Sequence, residues 1–275
     1  MKNFDRNKNW YDYGSSSQSI IELFECDKCL RFKFLEYTEE IESEFSTKLV
    51  DFISEKLINV DGVIFSNNSF FNTIFSPKTN KEYIFNLLTK YIEPSDKLFL
   101  KYIEDLKINY NKIPIWILSQ SWTFGDLINL FKLLNKDLQY KIIDSYKNLK
   151  VSPDQFINIM KIIKKIRNIS AHKSVLYNIE INFKKEVWNP IFKNKVFDIK
   201  IENNFFNLFN LTKIIGKFTN NKSRNIIYDL ELILKNKILT SKLIPKNSKF
   251  YILDKIGIKM SEIMILYNSE TYLRS

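Results

Sequence analysis

The stretch SPDQFINIMKIIKKIRNISAH, residues 152–172, predicts a helix with two unlike faces. Ser152 is a good helix cap, Pro153 suits the first helical position, and Gln155 stands three residues after the serine, where its side chain can complete a capping box. At about 100° per residue, one stripe of this helix is apolar. The stripe predicts the face that enters the core: Phe156, Ile159, Met160, Ile163 and Ile166.

A second stripe on the same helix is polar and carries the only histidine of the 275-residue chain. Its members are Asn158, Lys161, Lys165, Asn168 and His172. His172 lies about 180° from Ile163 on an ideal helix, so the sequence predicts an imidazole away from the core. Asn168 stands four residues before His172 on the same face, where its amide can steer the ring by a hydrogen bond.

Arg167 precedes His172 by five residues, which is about 140° around an ideal helix. The two side chains converge only if the arginine reaches around the helix, the helix kinks near Ser170, or a second copy of the site faces the first. The spacing is also that of a solvated basic face with a histidine at a helix C-terminus, where the helix dipole favours a cation. Spacing alone leaves a chemical site and a solvated face open.

Composition bounds the class of protein. Hydrophobic residues make up 45% and charged residues 27%, the balance of a folded domain with a full core. With 5 glycines and 6 prolines the chain has few positions for tight hairpins, which favours an all-α fold. No apolar run reaches the roughly 20 residues of a membrane span, and the start of the chain is unlike a signal peptide. We therefore expect a cytoplasmic protein without a membrane partner.

The chain is basic, with 42 Lys and Arg against 31 Asp and Glu and a net charge of +11. Such an excess favours a polyanionic partner, because clustered cations release counterions from phosphates. The chain is also rich in Lys, Asn, Ile, Phe and Tyr, as an AT-rich genome would make it without selection for binding. Net charge alone does not decide between these explanations.

The cysteines, Cys26 and Cys29, have C-x-x-C spacing. A zinc site needs four ligands, and the sequence offers neither a second cysteine pair nor a nearby histidine. We expect two ordinary helical cysteines, with no metal and no cofactor. Gly-rich phosphate loops are absent from the sequence, and no histidine other than His172 exists to serve a serine or cysteine triad.

Other patterns predict further helices. Ser19 and Glu22 form a capping-box pattern that opens a helix running to about Leu57, with a break near Thr38 or Ser46. Residues 61–80 have the polar breakers of a loop or short helix, and helices are expected over 81–91 and onward to 108. Thr123 and Asp126 mark another start. After residue 178 we expect short strands around VFDIKIE, residues 196–202, and helices near 203–218, 222–237 and 258–268.

The sequence RNISAH resembles the R-N-x-x-x-H signature of the HEPN superfamily, which includes many metal-independent ribonucleases. The chain from about residue 11 to 178 resembles the bacterial Abi-like (abortive infection) family in three blocks that follow one another in order. The first block has Asp27, Leu30, Arg31, Ile41 and Glu42; the second has Pro114, Trp116, Phe124 and Gly125; the third is the motif followed by Tyr177 and Asn178. The chain departs from the family pattern at Val175, where a basic residue is usual, and it starts close to the first block, where members usually carry a preceding segment.

The resemblance implies a HEPN-like helical bundle over residues 1–180, with a mostly helical extension over 181–275 packed on it. It implies an endoribonuclease of phage defence that needs no metal and is controlled by a cognate non-coding RNA. The catalytic residues would be Arg167, Asn168 and His172. The resemblance also implies a homodimer that brings two motifs together.

RNA contacts are expected from Lys161, Lys165 and Lys173, which suit phosphates, and from Tyr177, which would stack on an unpaired base. The alternative is a non-catalytic RNA-binding HEPN module, or a toxin–antitoxin component, that holds a regulatory RNA without cutting it. A helical scaffold for a protein partner is the third reading, and it predicts no affinity for RNA.

Overall fold

The predicted all-α class is confirmed. The computed structural model describes residues 4–5, 10–11, 16–57, 74–77, 80, 82–84, 87, 115–146, 149–172, 174–193, 197, 199, 205–219 and 226–258. Strands in these ranges are limited to two antiparallel pairs of two residues each. None of the helices described is both long and apolar enough to cross a bilayer.

The elements follow one another as helices with short strand pairs between them. The first part contains β1 (Phe4–Asp5), β2 (Trp10–Tyr11), α1 (Ser17–Leu57), α2 (Ile115–Leu118) with a 3-10 turn over Ser119–Ser121, α3 (Phe124–Leu133), α4 (Lys136–Asp144) and α5 (Pro153–Ala171). The second part contains β3 (Ile181–Asn182), α6 (Lys185–Lys193), β4 (Phe205–Phe206), α7 (Leu208–Thr219), α8 (Ile226–Leu234) with a π-helical turn over Lys235–Leu239, and α9 (Lys246–Ile256). β1 pairs with β2 through Phe4 and Tyr11, and β3 pairs with β4 through Ile181 and Phe206.

The chain forms two compact units. Unit 1 comprises residues 1–39 and 165–275, and unit 2 comprises residues 40–164. The division falls inside α1 and inside α5, so unit 1 combines two separate stretches of sequence and unit 2 is one continuous stretch. The division at residue 180 that the sequence suggested stays a prediction.

The start of α1 differs from the predicted one. Ser16 caps the helix: its amide donates to Ser19 Oγ at 3.0 Å, and the Ser19 amide donates to Ser16 Oγ at 3.1 Å. Glu22, the expected partner of Ser19, instead accepts a hydrogen bond from Ser241 Oγ. The capping box predicted at Ser19 is therefore wrong, because a run of serines offers several caps and tertiary contacts select one of them.

The predicted break in α1 is also wrong, since the helix continues for 41 residues. Thr38 Oγ1 donates to the Phe34 carbonyl at 2.7 Å, so its hydroxyl is satisfied inside the helix. Beyond it the apolar stripe continues at spacings of four residues, fully buried: Ile41, Phe45, Leu49 and Ile53. Burial of this stripe outweighs the low helix propensity of Thr38 and Ser46.

Two other predicted helix starts are confirmed. Thr123 and Asp126 form a reciprocal capping box, with amide-to-side-chain distances of 3.0 and 3.3 Å. The Ser152 amide donates to Gln155 Oε1 at 2.8 Å, and the Gln155 amide donates to Ser152 Oγ at 3.3 Å. Helix α5 begins at Pro153, as its sequence predicts.

In the C-terminal part, the helices expected near 203–218 and 222–237 correspond to α7 and to α8 with its π-turn. Helix α9 was not predicted, because its buried residues lie only in its second half, at Ile252, Leu253 and Ile256. It ends at Ile256 and is followed by the cap residue Gly257, whose φ of 96° suits glycine. Of the expected strand region 196–202, only Phe197 and Ile199 are described, and neither is in a strand. Residues 61–73, 88–108 and 259–268 lie outside the described residues.

Unit 2 has an aromatic core. The rings of Phe45, Phe131 and Phe156, contributed by α1, α3 and α5, lie with centroids 4.9 to 5.9 Å apart. Tyr146 packs on Phe156 at 5.7 Å, and burial raises the pKa of its phenol. Lys48 Nζ lies 3.5 Å from the centre of the Tyr146 ring, a cation–π contact at the border of this core.

We expect Phe156→Ala to lower the free energy of unfolding by about 3–5 kcal/mol, because it opens a cavity among three packed rings. Urea denaturation followed by circular dichroism measures this loss. The matched control is Phe32→Ala in α1, where the ring is 64% exposed and the expected change is within about 0.5 kcal/mol. Equal losses for the two variants would contradict this account of the core.

Candidate functional site at the end of α5

The R-N-x-x-x-H motif lies at the C-terminal end of α5. The helix ends at Ala171, and His172 occupies the turn that follows. The His172 amide still donates to the Asn168 carbonyl at 2.9 Å. Helical hydrogen bonding therefore continues unbroken past Ser170, where the sequence allowed a kink, to the histidine.

The two faces predicted for α5 are confirmed. The five residues of the apolar stripe are fully buried: Phe156, Ile159, Met160, Ile163 and Ile166. On the polar stripe, His172, Lys161 and Lys165 are exposed, and Asn168 is half-buried. The core anchors the helix by one face and leaves the imidazole at its end in contact with solvent.

Arg167 and Asn168 differ from His172 in how firmly they are enclosed. Arg167 is half-buried as a residue, and its Nε atom is buried in the protein, so packing sets the position of the guanidinium. The Asn168 side chain makes no hydrogen bond to the imidazole, although both residues are described. His172 lies in the turn after the helix, and the hydrogen bond that the structure describes between it and Asn168 joins their backbones.

The chain after His172 is held by a buried carboxylate on α1. Asp27 Oδ1 accepts hydrogen bonds from the amides of Leu176 and Tyr177 at 2.7 and 2.9 Å. Its other oxygen, Oδ2, accepts one from Arg31 Nε at 2.9 Å. Asp27 is 5% and Arg31 8% exposed. This carboxylate therefore joins α1 to the segment that leaves the motif, all within unit 1.

Sequence reasoning recognised Asp27 and Arg31 as part of a block but missed this role. Asp27 lies on the same face of α1 as the buried residues Leu23, Leu30 and Phe34. A charged pair four residues apart on an apolar helix face is the signal that was available, since such charges are seldom buried without a partner. The partners among the backbone amides, about 150 residues away, had no local signal.

Tyr177 does not suit its predicted role. The residue is 6% exposed, and burial, followed by the charge of Asp27, raises the pKa of its phenol to about 12. A ring enclosed to this degree has no face for an unpaired base, so stacking by Tyr177 is incompatible with this arrangement. The error has a physical cause: the carboxylate of Asp27 draws the Tyr177 backbone inward. Lys173, the other predicted contact of this segment, lies outside the described residues.

The second block contributes packing in unit 2. Phe124 is buried, and Gly125 lies beneath Lys164: a Cβ atom at Gly125 would come within 2.7 Å of Lys164 Nζ. Because that amine is the far end of a flexible chain, it can move aside, and the glycine is not strictly required. Trp116 is exposed, and Pro114 lies outside the described residues.

Helices of the C-terminal part pack beside the same segment in unit 1. Tyr37 Oη on α1 donates to Asp229 Oδ2 on α8 at 2.7 Å. On α9, Lys255 Nζ lies 3.4 Å from Glu180 Oε1, eight residues after His172. The end of α9 is thus next to the chain that leaves the motif.

The cysteines lie in α1 as helical residues, as predicted, and both are free thiols. Burial, followed by the charges of Cys29 and Asp27, raises the pKa of the Cys26 thiol to about 12. Within the described ranges, no group of three or more His, Cys, Asp or Glu side chains is arranged to hold a metal ion.

Comparison with known families agrees with the three sequence blocks. Residues 1–178 match a family model described as Abi-like protein, and this match covers more than half of the chain. The chain belongs to the Abi-like protein family. No curated protein and no solved structure gave a match. The motif of this Abi-like chain and the carboxylate of Asp27 both fall inside the matched residues, whereas α6 to α9 fall outside it.

We expect Asp27→Ala to lower the free energy of unfolding by about 3–5 kcal/mol, because Arg31 and two amides would stay buried without their acceptor. Adding Arg31→Met should recover part of the loss by removing the unpaired charge. Chemical denaturation measures both variants. Glu25→Ala is the control: Glu25 and Lys28 are each 46% exposed and 3.9 Å apart, and such a pair contributes about 0–1 kcal/mol. A loss below about 1 kcal/mol for Asp27→Ala would argue against the carboxylate as a clamp.

Proposed function

We propose that this chain is a metal-independent endoribonuclease of phage defence that cleaves RNA through the RNA's own 2′-hydroxyl. The observation that carries the proposal is the end of α5, where Arg167 and Asn168 lead to an exposed His172 outside the core. This arrangement resembles the HEPN motif, and membership of the Abi-like family supports a role in abortive infection. Control by a cognate non-coding RNA remains part of the proposal.

The chemistry needs few protein groups. The 2′-oxygen attacks phosphorus, the bond from phosphorus to the 5′-oxygen breaks, and the products carry a 2′,3′-cyclic phosphate and a 5′-hydroxyl. His172 would accept the proton of the 2′-hydroxyl or donate one to the leaving oxygen. Arg167 would hold the non-bridging oxygens, on which negative charge accumulates, through its planar guanidinium.

The remaining polar residues would position the RNA. Asn168 is half-buried and follows Arg167 in the chain. It would contact the phosphate, since its side-chain amide makes no hydrogen bond to the His172 ring. Lys165 and Lys161 are exposed on α5 and suit neighbouring phosphates, and Lys173 is assigned to the same task. The three lysines supply positive charge and do not themselves move protons.

Transesterification takes one proton from the 2′-hydroxyl and gives one to the leaving oxygen, and the one histidine of each chain can make one of these transfers. In the same chain, Arg167 lies about 140° away from His172 around an ideal helix. We therefore propose a two-fold homodimer in which His172 of each protomer works with the motif of the other. Such an assembly removes the need for a kink in α5, because Arg167 of one chain can serve the phosphate beside the partner's His172.

We expect His172→Ala to lower RNA cleavage by about 10²–10⁴-fold, the usual loss for a general acid or base. Cleavage by the parent protein should persist in EDTA and leave 2′,3′-cyclic phosphate ends. Gel assays of a labelled RNA measure the rate, and thermal unfolding should be unchanged because the ring is exposed. Val175→Ala, at a neighbouring residue 58% exposed, is the matched control and should keep full activity.

Two results would decide against this mechanism. Loss of cleavage in EDTA with recovery on adding magnesium would indicate metal chemistry. Tight RNA binding without cleavage, equal for His172→Ala and the parent protein, would instead support an RNA-binding module.

The shared site predicts subunit complementation. Arg167→Ala and His172→Ala proteins should each be inactive, and mixing them should restore up to about a quarter of parental activity. The recovery arises because half of the dimers are then mixed and one of their two sites is intact. Light scattering before and after mixing checks exchange of subunits. A monomer whose cleavage rate is linear in protein concentration would refute the shared site.

A further inference from the structure

The positive charge of this chain is concentrated outside the part that matches the Abi-like family. Residues 179–275 contain 17 Lys and Arg against 9 Asp and Glu, a net charge of +8. The matched residues 1–178 are longer but nearly balanced, with 25 against 22 and a net charge of +3. A general lysine bias would spread the excess along the chain, so the extension carries a surplus of its own.

The densest part is residues 232–253, which contain five lysines and no Asp or Glu. Three of these lysines are exposed: Lys237 in the π-turn, Lys242 in the following loop, and Lys246 in the first turn of α9. We refer to Lys237, Lys242 and Lys246 as the lysine surface. Neighbouring members are five and four positions apart, so the backbones of each neighbouring pair lie within about 18 Å even if fully extended.

The loop that carries the lysine surface is held in place by hydrogen bonds. Lys249 Nζ donates to the carbonyl of Leu239 at 2.9 Å and to that of Ser241, which ties α9 to the end of the π-turn. Ser241 Oγ accepts hydrogen bonds from the amides of Leu243 and Ile244 at 3.1 and 3.0 Å. The three lysines therefore lie on a segment whose backbone is fixed by hydrogen bonds. Short π-helical turns such as the one that carries Lys237 are frequent at functional sites.

Folding stability does not account for these charges. Lys246 stands in the first turn of α9, where the helix dipole repels a cation, and no acidic residue offsets it there. Its amine is 5.9 Å from the centre of the Phe250 ring, at the outer limit of a cation–π contact. Glu22 contacts this loop, but its carboxylate accepts from Ser241 Oγ. Neither Lys237 nor Lys242 forms an ion pair with any residue that the structure describes.

Helix α9 connects the lysine surface with the candidate site. It starts at Lys246, and near its end Lys255 contacts Glu180 in the segment that follows the motif. Nine residues of α-helix at 1.5 Å each place these two lysines about 14 Å apart along the axis. One strand of a duplex rises about 3.4 Å per nucleotide, so a stacked strand covers that distance in about four nucleotides and an extended strand in fewer.

We propose that the lysine surface binds the phosphate backbone of RNA, so that a strand cut at His172 continues along α9 onto Lys246, Lys242 and Lys237. This inference rests on the proposed function and adds a binding surface in the extension. Backbone contacts by lysine give affinity without reading sequence. A membrane surface would call for an apolar helix face beside the charges, whereas the loop exposes a single large apolar side chain, Leu243.

Binding is tested in protein with His172→Ala, so that cleavage does not interfere. The variant Lys237→Glu/Lys242→Glu/Lys246→Glu is compared with Lys132→Glu/Lys136→Glu/Lys141→Glu, which reverses three exposed lysines of unit 2 that have Asp137 and Asp144 near them in sequence. Affinity for a 20-nucleotide RNA is measured by fluorescence anisotropy over a range of salt. The slope of log affinity against log salt should fall by about 2 for the lysine surface, from three contacts at about 0.7 each, and stay near the parental value for the control.

A glutamine version, Lys237→Gln/Lys242→Gln/Lys246→Gln, guards against misfolding, because it keeps side-chain size and should give the same fall in slope. Equal slopes for the two sets of lysines would overturn the proposal. The proposal would also be overturned if the variant lost binding to vesicles in which one fifth of the lipid is anionic but still bound RNA as the parent does.

Cleavage separates this proposal from the proposed function. With His172 present, the glutamine variant should lower kcat/KM for the 20-nucleotide RNA by at least about tenfold and leave a trinucleotide unaffected, because a short RNA does not reach the lysine surface. An equal loss on both RNAs would overturn the proposal by placing the defect in the site itself. If the parent protein cuts neither RNA but the salt slope still falls, the lysine surface stands and the nuclease assignment fails.

Discussion

The structure of unit 1 depends on the carboxylate of Asp27. One buried group accepts three hydrogen bonds, from the Arg31 side chain and from two amides almost 150 residues further along the chain. A buried charge without such partners costs several kcal/mol, so the three donors have to stay where they are. Helix α1 and the chain after the motif therefore cannot shift independently. The buried ion pair of Asp27 and Arg31 therefore fixes the position of these parts of the chain and is not a large source of net stability.

That constraint explains how an exposed residue can be well placed. His172 is outside the core, and no side-chain hydrogen bond from Asn168 orients it. Its backbone is held on one side by the Asn168 carbonyl and, four residues later, by Asp27. The proton transfer proposed for His172 needs access to solvent and substrate together with a reproducible location. Anchoring the chain on both sides of the histidine meets both needs, and the buried stripe of α5 keeps the helix itself from rotating.

The extension beyond residue 178 fits the same arrangement. Helix α8 meets α1 through Asp229 and Tyr37, and α9 meets the segment after the motif through Lys255 and Glu180. Both contacts lie within unit 1, so the extension shares its core with the motif. The three exposed lysines at positions 237, 242 and 246 therefore belong to the same unit as the candidate site.

Local patterns were enough for much of this protein. The starts of α3 and α5, the buried stripe of α5 and the outward position of His172 follow from residues within four positions of each other, so the sequence by itself determined them. The same family resemblance that located the motif was borne out over residues 1–178. Tertiary structure decided the rest. It kept α1 helical through Thr38 because the apolar stripe beyond is buried, and it enclosed Tyr177 because Asp27 holds that backbone. It placed α9 where weak amphipathic patterning gave no sign of a helix. In each case the deciding partner lies far away in sequence, and burial against such a partner outweighs the local preference.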